Sequence, residues 1–450
     1  MADLSVRFAG IESPNPFWLA SGPPTNTGAQ IERAFAAGWG GAVWKTLGNP
    51  IVNTSSRLAA VEFGGSRLAG LNNIELITDR PLADNLREIA DVKRRWPDRA
   101  VVVSLMFDTR AEWNDILRRC EDTGCDGVEL NFGCPHGMCE RGMGSAVGQE
   151  PNVLRELVSW VAESTSLPIL AKLTPNVTDI REPARAAREG GAHAISLINT
   201  VQSVIGVDLD RLVPFPRVGD ASTHGGYCGP AVKPIALRMV ADLARDAGVG
   251  LPISGIGGIA TWRDAAEFLA LGASTVQVCT AVMHHGFRIV EDLIAGLSDY
   301  LDARGLVRVS ELTGAAVPAY RDWGDLDLNY RIVAEIHEDR CIGCQLCWVA
   351  CHDGAHQCIH LPGEEARAGH VAPAAARAAA RAHSAPAHAP YRVPWVDETE
   401  CVGCNLCALV CPVDGCITME ERRGPERPET WNDRVRAGRA NPPGGLRDLD

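Results

Sequence analysis

The sequence is short of basic charge and has no long apolar run. Lys and Arg number 43 against 56 Asp and Glu, a formal net charge of −13, which argues against a nucleic-acid backbone as the main partner. No apolar stretch reaches the roughly 18 residues of a membrane span. The opening "MADLSVRFAG" lacks the basic-then-apolar pattern of a secretory leader, so a cytoplasmic protein is expected. Also missing is a G-x-G-x-x-G that follows a strand, opens a helix and is trailed by a ribose-binding acid. NAD(P)H or FAD is therefore not expected to bind here as a dinucleotide. What is present is 450 residues, 46% hydrophobic and 22% charged. That composition suits about two to three soluble domains with a sizeable core.

Up to residue 305, short apolar runs alternate with helix-like stretches. Eight candidate strands are "FWLASG" from Phe17, "GAVWKTL" from Gly41, "AVVVSLM" from Ala100, "GVELNFG" from Gly127, "PILAKLTP" from Pro168, "AISLINT" from Ala194, "LPISGIGG" from Leu251 and "TVQVCTA" from Thr275. Runs this continuously apolar suit strands buried on both faces, as in parallel sheets. Eight such units over 305 residues predict a (β/α)8 TIM barrel, with a doubly wound open sheet as the alternative. Two connections are long, from Gly48 to about Pro81 and from Val201 to Gly229. Both fall at the C-terminal face, where they read as lids or substrate loops.

Sixteen cysteines need a reason in a reducing compartment, where metal binding is commoner than disulfides. Eight form two copies of C-x2-C-x2-C-x3-C: Cys341, Cys344, Cys347 and Cys351, then Cys401, Cys404, Cys407 and Cys411 before Pro412. This is the two-cluster ferredoxin run, in which three cysteines hold one 4Fe–4S cluster and the fourth ligates the other. Zinc sites use cysteine pairs instead. The first copy has His352 in place of Pro, and the gap between the copies is long. Cys358 and Cys416 follow the two motifs and read as packed thiols. A small α+β ferredoxin-like domain is therefore expected over 335–420. An Ala-rich insertion at 363–390, a connector at 306–334 and a mobile tail at 421–450 complete the layout. Paired clusters imply single-electron transfer, so the barrel should hold a redox centre that handles single electrons. A flavin does so and also exchanges hydride.

The barrel carries matching signals. "SGIGGI" and "QVCTA" end strands 7 and 8, the usual phosphate site of this fold. Lys45, Asn131, Lys172, Asn199 and Thr200 lie at or near strand ends where a core would be apolar. Such residues suit a ligand with imide or amide edges and a negative charge. Asn131 also opens "NFGCPHGMCERGMG". Cys134, His136 and Cys139 have no obvious further zinc ligand, and a disulfide is disfavoured. A catalytic thiol remains, with a packed loop cysteine as the other reading.

"NIELI", "ELNFGCPHGMCERGMG", "AKLTPNVTDI", "GGYCGPAVKPIAL" and the cysteine repeat together resemble the dihydropyrimidine dehydrogenases, over about residues 5 to 420. The barrel also resembles the related dihydroorotate dehydrogenases. The resemblance implies FMN and two 4Fe–4S clusters, and reduction of the 5,6 double bond of uracil or thymine. Cys134 would protonate C5 and FMN would deliver hydride to C6. Asn73, Glu75, Asn131, Asn199 and Thr200 would hold the pyrimidine. Ala20, Ser21, Lys45, Lys172, Gly229, Gly257, Gly258, Cys279 and Thr280 would contact FMN. Gly133 stands where the family's loop often has Ser. A partner subunit with FAD and NAD(P) sites is implied, and a homodimer or heterotetramer is expected. Residues 335–420 hold 5 basic and 11 acidic side chains, net −6, a face suited to a basic partner. Two other readings stay open: a dihydroorotate-type enzyme, and an electron-transfer subunit with an inactive barrel.

Overall fold

Eight parallel strands close into a barrel in the computed structural model of the chain, which describes residues 2–48, 53–63, 66–361, 393–422, 424 and 426–440. They are β1 (Phe17–Leu19), β2 (Gly41–Leu47), β3 (Ala100–Leu105), β4 (Gly127–Phe132), β5 (Ile169–Leu173), β6 (Ala194–Leu197), β7 (Ile253–Ile256) and β8 (Ala273–Val278). Each pairs with its sequence neighbours, and β8 returns to β1. β2, β3 and β5 are buried at every position. Their apolar runs face the barrel interior on one side and helices on the other, which explains the absence of polar alternation.

The helices of the outer layer are α1 (Gly28–Ala37), α2 (Leu82–Arg95), α3 (Arg110–Thr123), α4 (Pro151–Ala162), α5 (Arg181–Glu189), α6 (Lys233–Arg245), α7 (Trp262–Ala270) and α8 (Ile289–Arg304). Their starts are written in the sequence. Thr109 accepts from the backbone N–H of Glu112, and the Glu112 carboxylate accepts from that of Thr109. Thr261 and Asp264 repeat this capping box at α7, each cap contributing about 1 kcal/mol.

The barrel interior has two levels. A hairpin of Val6–Phe8 and Ile11–Ser13 precedes β1. Its Phe8 packs edge-on against Trp18 in an apolar layer with Val43, Val102 and Leu170. The other level is polar: Ser104, Glu129, Lys172, Ser196, Ser254, Thr275 and Gln277 are all buried. Both long connections contribute to one antiparallel sheet, ordered Val201–Ser203, Gly225–Cys228, Ser66–Asn73, Leu58–Phe63. Gly226 pairs with both Gln202 and Asn73, so the two connections are stitched together.

The chain divides into two compact units, Met1–Tyr320 and Arg321–Asp450. The segment read as a connector is divided. Val309 and Leu312 are buried in the barrel core, because their apolar side chains cover the helical layer. In the second unit Ile332–Ile336 pairs antiparallel with Ile417–Glu421, and Ile359–His360 with Trp395–Val396. Its core is largely cysteine. The first part of the expected tail forms a helix, Trp431–Arg436, capped by Thr430, and Glu429 pairs with Arg434 and Arg439. The Ala-rich insertion at 363–390 and residues 441–450 lie outside the described residues. No described helix is long and apolar enough to cross a membrane.

Candidate active site

The C-terminal strand ends and the antiparallel sheet enclose a cavity of about 410 Å³. The fifteen barrel residues given a role by the family resemblance line it: Cys134; Asn73, Glu75, Asn131, Asn199 and Thr200; and Ala20, Ser21, Lys45, Lys172, Gly229, Gly257, Gly258, Cys279 and Thr280. Ala20 and Ser21 follow β1, and the Ser21 hydroxyl accepts from the backbone N–H of Thr46 at 3.1 Å.

Each lysine is matched by a carboxylate. The Lys45 ammonium on β2 donates to Glu75 Oε1 at 2.5 Å, and Arg57 reaches the same oxygen at 3.1 Å. Lys172 on β5 lies 3.4 Å from Oε1 of Glu129, a β4 carboxylate with no solvent exposure. The Ser196 hydroxyl donates to Glu129 Oε2 at 2.8 Å, and Gln277 Nε2 donates at 3.2 Å. A buried charge persists only when paired and hydrogen-bonded; here Lys172 and Gln277 line the cavity while Glu129 and Ser196 are fully buried.

Between the lysines lies a chain of amides. Asn131 Nδ2 donates to Thr46 Oγ1 at 3.0 Å, while its Oδ1 accepts from Asn199 Nδ2 at 3.0 Å and from the N–H of Gly133 at 3.2 Å. The N–H of Thr200 donates to Asn199 Oδ1 at 2.8 Å. On the antiparallel sheet, Asn73 Nδ2 reaches Gly226 O at 3.4 Å. Gly133 is sterically forced here: a Cβ at that position would sit 2.3 Å from Cβ of Asn199.

Cys134 starts the loop beyond β4 and is 8% exposed. Its S–H donates to the His136 carbonyl at 3.5 Å. Burial pushes the thiol up to about 11. The loop is tied on both sides. His136 Nε2 lies 3.1 Å from Glu75 O, and His224 Nε2 lies 3.0 Å from Pro135 O. A carbonyl only accepts, so the His136 proton sits on Nε2. Burial lowers the affinity of that imidazole for a second proton.

At the opposite wall the backbone of Gly229, Gly257 and Gly258 has φ of +92°, +133° and +73°. A Cβ at Gly258 would lie 2.8 Å from Gly229 O and 2.9 Å from Lys233 Cβ. Only glycine leaves this corner open, with its amides available to an anion. Thr280 donates to Cys228 Sγ at 3.3 Å, and burial raises the neighbouring Cys279 thiol to about 12. Glycine backbone amides, two lysine ammonium groups and a chain of amide side chains around one cavity fit a phosphorylated flavin.

In the second unit, Cys341, Cys344, Cys347 and Cys411 surround one small gap, and Cys351, Cys401, Cys404 and Cys407 surround another. The fourth cysteine of each run thus crosses to the other set. Both turns use left-handed backbone at matching places: Gly343 and Gln345, then Gly403 and Asn405. Among the described residues, no three metal-binding side chains converge on a point. The sulfurs ring a void, which fits a cubane and does not fit a mononuclear zinc site.

A closed barrel with lysine–carboxylate pairs and a glycine corner, carried with a cysteine-rich ferredoxin-like unit, defines an oxidoreductase of the flavin and iron–sulfur class. The family model for dihydroorotate dehydrogenase matches residues 3–301, and that for the 4Fe-4S binding domain matches residues 394–415. The NAD-dependent dihydropyrimidine dehydrogenase subunit PreA of Escherichia coli K12 is 40% identical over 425 residues, covering 93% of this chain and 96% of its own. The chloroplastic dihydropyrimidine dehydrogenase (NADP(+)) of Arabidopsis thaliana is 42% identical over 337 residues, 72% of this chain and 79% of its own. The catalytic subunit of dihydroorotate dehydrogenase B (NAD(+)) from Pyrococcus abyssi is 38% identical over 314 residues, 70% of this chain and 99% of its own. The chain belongs to the dihydroorotate dehydrogenase family, an FMN-binding family, and within it to the dihydropyrimidine dehydrogenases.

Sequence reasoning missed Glu129, Arg57, His136 as a tether, and Cys228. Glu129 had a signal: an acid inside the apolar run "GVELNFG", two residues before Asn131 and therefore on the same face of the strand. Arg57 had none, since only the folded hairpin brings it to Glu75.

Proposed function

We propose that the chain is the catalytic subunit of a dihydropyrimidine dehydrogenase that reduces the 5,6 double bond of uracil or thymine. The observation that carries this reading is Cys134, a protonated thiol held at the wall of the cavity that contains the amide chain and both lysines. FMN, when bound, supplies hydride to C6 of the pyrimidine. Lys45, Lys172, Ala20, Ser21 and Cys279 would border it, with Gly229, Gly257, Gly258 and Thr280 near its phosphate. Asn73, Glu75, Asn131, Asn199 and Thr200 would hold the planar imide, since amides pair with both its N–H and C=O edges. Cys134 turns from the His136 carbonyl and gives its proton to C5. Its thiolate then recovers a proton from water. Hydride at C6 and proton at C5 complete the dihydropyrimidine.

The charge arrangement favours a neutral pyrimidine over orotate. Lys45 is already met by Glu75, and Lys172 by Glu129. An added substrate carboxylate would compete with Glu75 for Lys45 and Arg57 and with Glu129 for Lys172. The eight cysteines would hold two 4Fe–4S clusters, which supply single-electron transfer when bound. Reducing equivalents would come from a partner subunit with the FAD and NAD(P) sites, in a cytoplasmic assembly built on a homodimer or heterotetramer.

The test is product identification. The dithionite-reduced, FMN-loaded protein is mixed anaerobically with uracil or orotate and the products are weighed by mass spectrometry. Gain of two hydrogens by uracil is expected. Gain by orotate alone would replace the reading with a dihydroorotate-type enzyme.

A further inference from the structure

We propose that Cys358 and Cys416 are positioning residues for the iron–sulfur unit, each donating its S–H hydrogen bond to a ligand sulfur of one cluster and thereby setting its potential. The inference rests on the two-cluster reading above. Neither cysteine belongs to a C-x2-C-x2-C-x3-C run, yet each lines one of the two voids: Cys358 with Cys351, Cys401, Cys404 and Cys407, and Cys416 with Cys341, Cys344, Cys347 and Cys411.

The contacts respect the same division. Cys358 Sγ lies 3.6 Å from Cys351 Sγ and also contacts Cys401. Cys416 borders the other void beside Cys341 and Cys411, and its S–H lies 3.9 Å from the His337 carbonyl, from which it would turn to a ligand sulfur. Each extra thiol therefore borders one void, beside the ligand set of that void. A ligating cysteine is a thiolate and has no proton, so in each contact the extra cysteine must be the donor.

The placement is built twice by the same backbone device. The N–H of His337, four residues before Cys341, donates to the Cys416 carbonyl at 2.8 Å. The N–H of Asp397, four residues before Cys401, donates to the Cys358 carbonyl at 2.7 Å. In both halves the carbonyl of that same residue also accepts from the first cysteine of its run, 3.1 Å for Cys341 and 3.0 Å for Cys401. Each extra cysteine is thus locked to the start of the run it serves. Both side chains are buried, and the repeated backbone anchoring holds each of them at the edge of its void. A hydrogen bond to a cluster sulfur favours the reduced, more negative state and raises the potential.

The experiment is a potentiometric titration of the full chain followed by electron paramagnetic resonance, with iron analysis, on Cys358→Ala and Cys416→Ala. Each variant is expected to keep its iron, shift one cluster to lower potential and leave the other at the wild-type value. The clusters should exchange roles between the two variants. Cys358→Ser and Cys416→Ser, which keep a donor, should lie between Ala and wild type and remain usable if an Ala variant misfolds. Unmoved midpoints in all four variants, or loss of iron from one void, would overturn the inference. About eight irons per wild-type chain with unmoved midpoints rejects the inference alone. About four irons rejects the two-cluster reading with it.

Discussion

Replacing Cys134 with Ala removes the proposed acid and leaves the flavin corner untouched. A positioned general acid contributes roughly 10²–10⁴-fold, so uracil reduction should fall by that factor while FMN and iron content stay at wild-type levels. The pH dependence is more specific. Burial lifts the thiol to about 11, so the thiolate fraction at pH 8 is about 10⁻³ from the three-unit difference. The acid form is the competent one for reduction, so the Cys134 step should be flat from pH 6 to 9 and lost only as pH rises through about 11. Oxidation of dihydrouracil needs the thiolate, so it should rise about tenfold per pH unit below that point. Stopped-flow reduction and oxidation of the two pyrimidines, in wild type and in Cys134→Ala, read both limbs. Cys134→Ser keeps an O–H but is a weaker acid, and should fall between them. A Cys134→Ala enzyme with the wild-type rate would refute the assignment. So would a wild-type reduction rate that drops between pH 7 and 9 through this group.

Three further outcomes follow from particular contacts. Glu129→Gln leaves the Lys172 ammonium buried without its carboxylate, a change that costs about 3–5 kcal/mol when a buried pair is broken. The barrel should melt earlier and retain less FMN, as read by calorimetry and flavin release. Gly133→Ser places a Cβ 2.3 Å from that of Asn199 and must displace it from Asn131. One lost substrate hydrogen bond is about 1.4 kcal/mol, so KM for uracil should rise roughly tenfold with a smaller change in kcat. Cys351→Ala, with Cys404 and its neighbours intact, should lower iron from about eight to about four per chain, because Cys351 closes only one of the two cubanes. Iron analysis with electron paramagnetic resonance decides it.

The barrel was legible because eight short, mostly apolar runs alternate with helical stretches, and β2 matches its expected range from Gly41 to Leu47. The cysteine crossing was legible because a fixed spacing repeats. The cavity residues were legible because Lys45, Asn131 and Lys172 interrupt apolar strands at one end. What escaped depends on distant pairing. The antiparallel sheet joins residues about 150 positions apart, such as Asn73 and Gly226, and two of its strands, Val201–Ser203 and Gly225–Cys228, are only three and four residues long. Arg57 pairs with the Glu75 carboxylate and His136 with its carbonyl, and no local pattern announces either. The repeated anchoring of Cys358 and Cys416 needed the pseudo-twofold arrangement of the second unit, which motif spacing does not contain.

The most direct measurement is reoxidation of the fully reduced, anaerobically purified chain, with its FMN and iron counted beforehand. One FMN and about eight irons, with flavin absorbance returning rapidly on addition of uracil and slowly or not at all with orotate, is the expected result. Rapid return with orotate and none with uracil would contradict the pyrimidine-reducing assignment. Absence of flavin from a folded barrel would contradict the catalytic role itself.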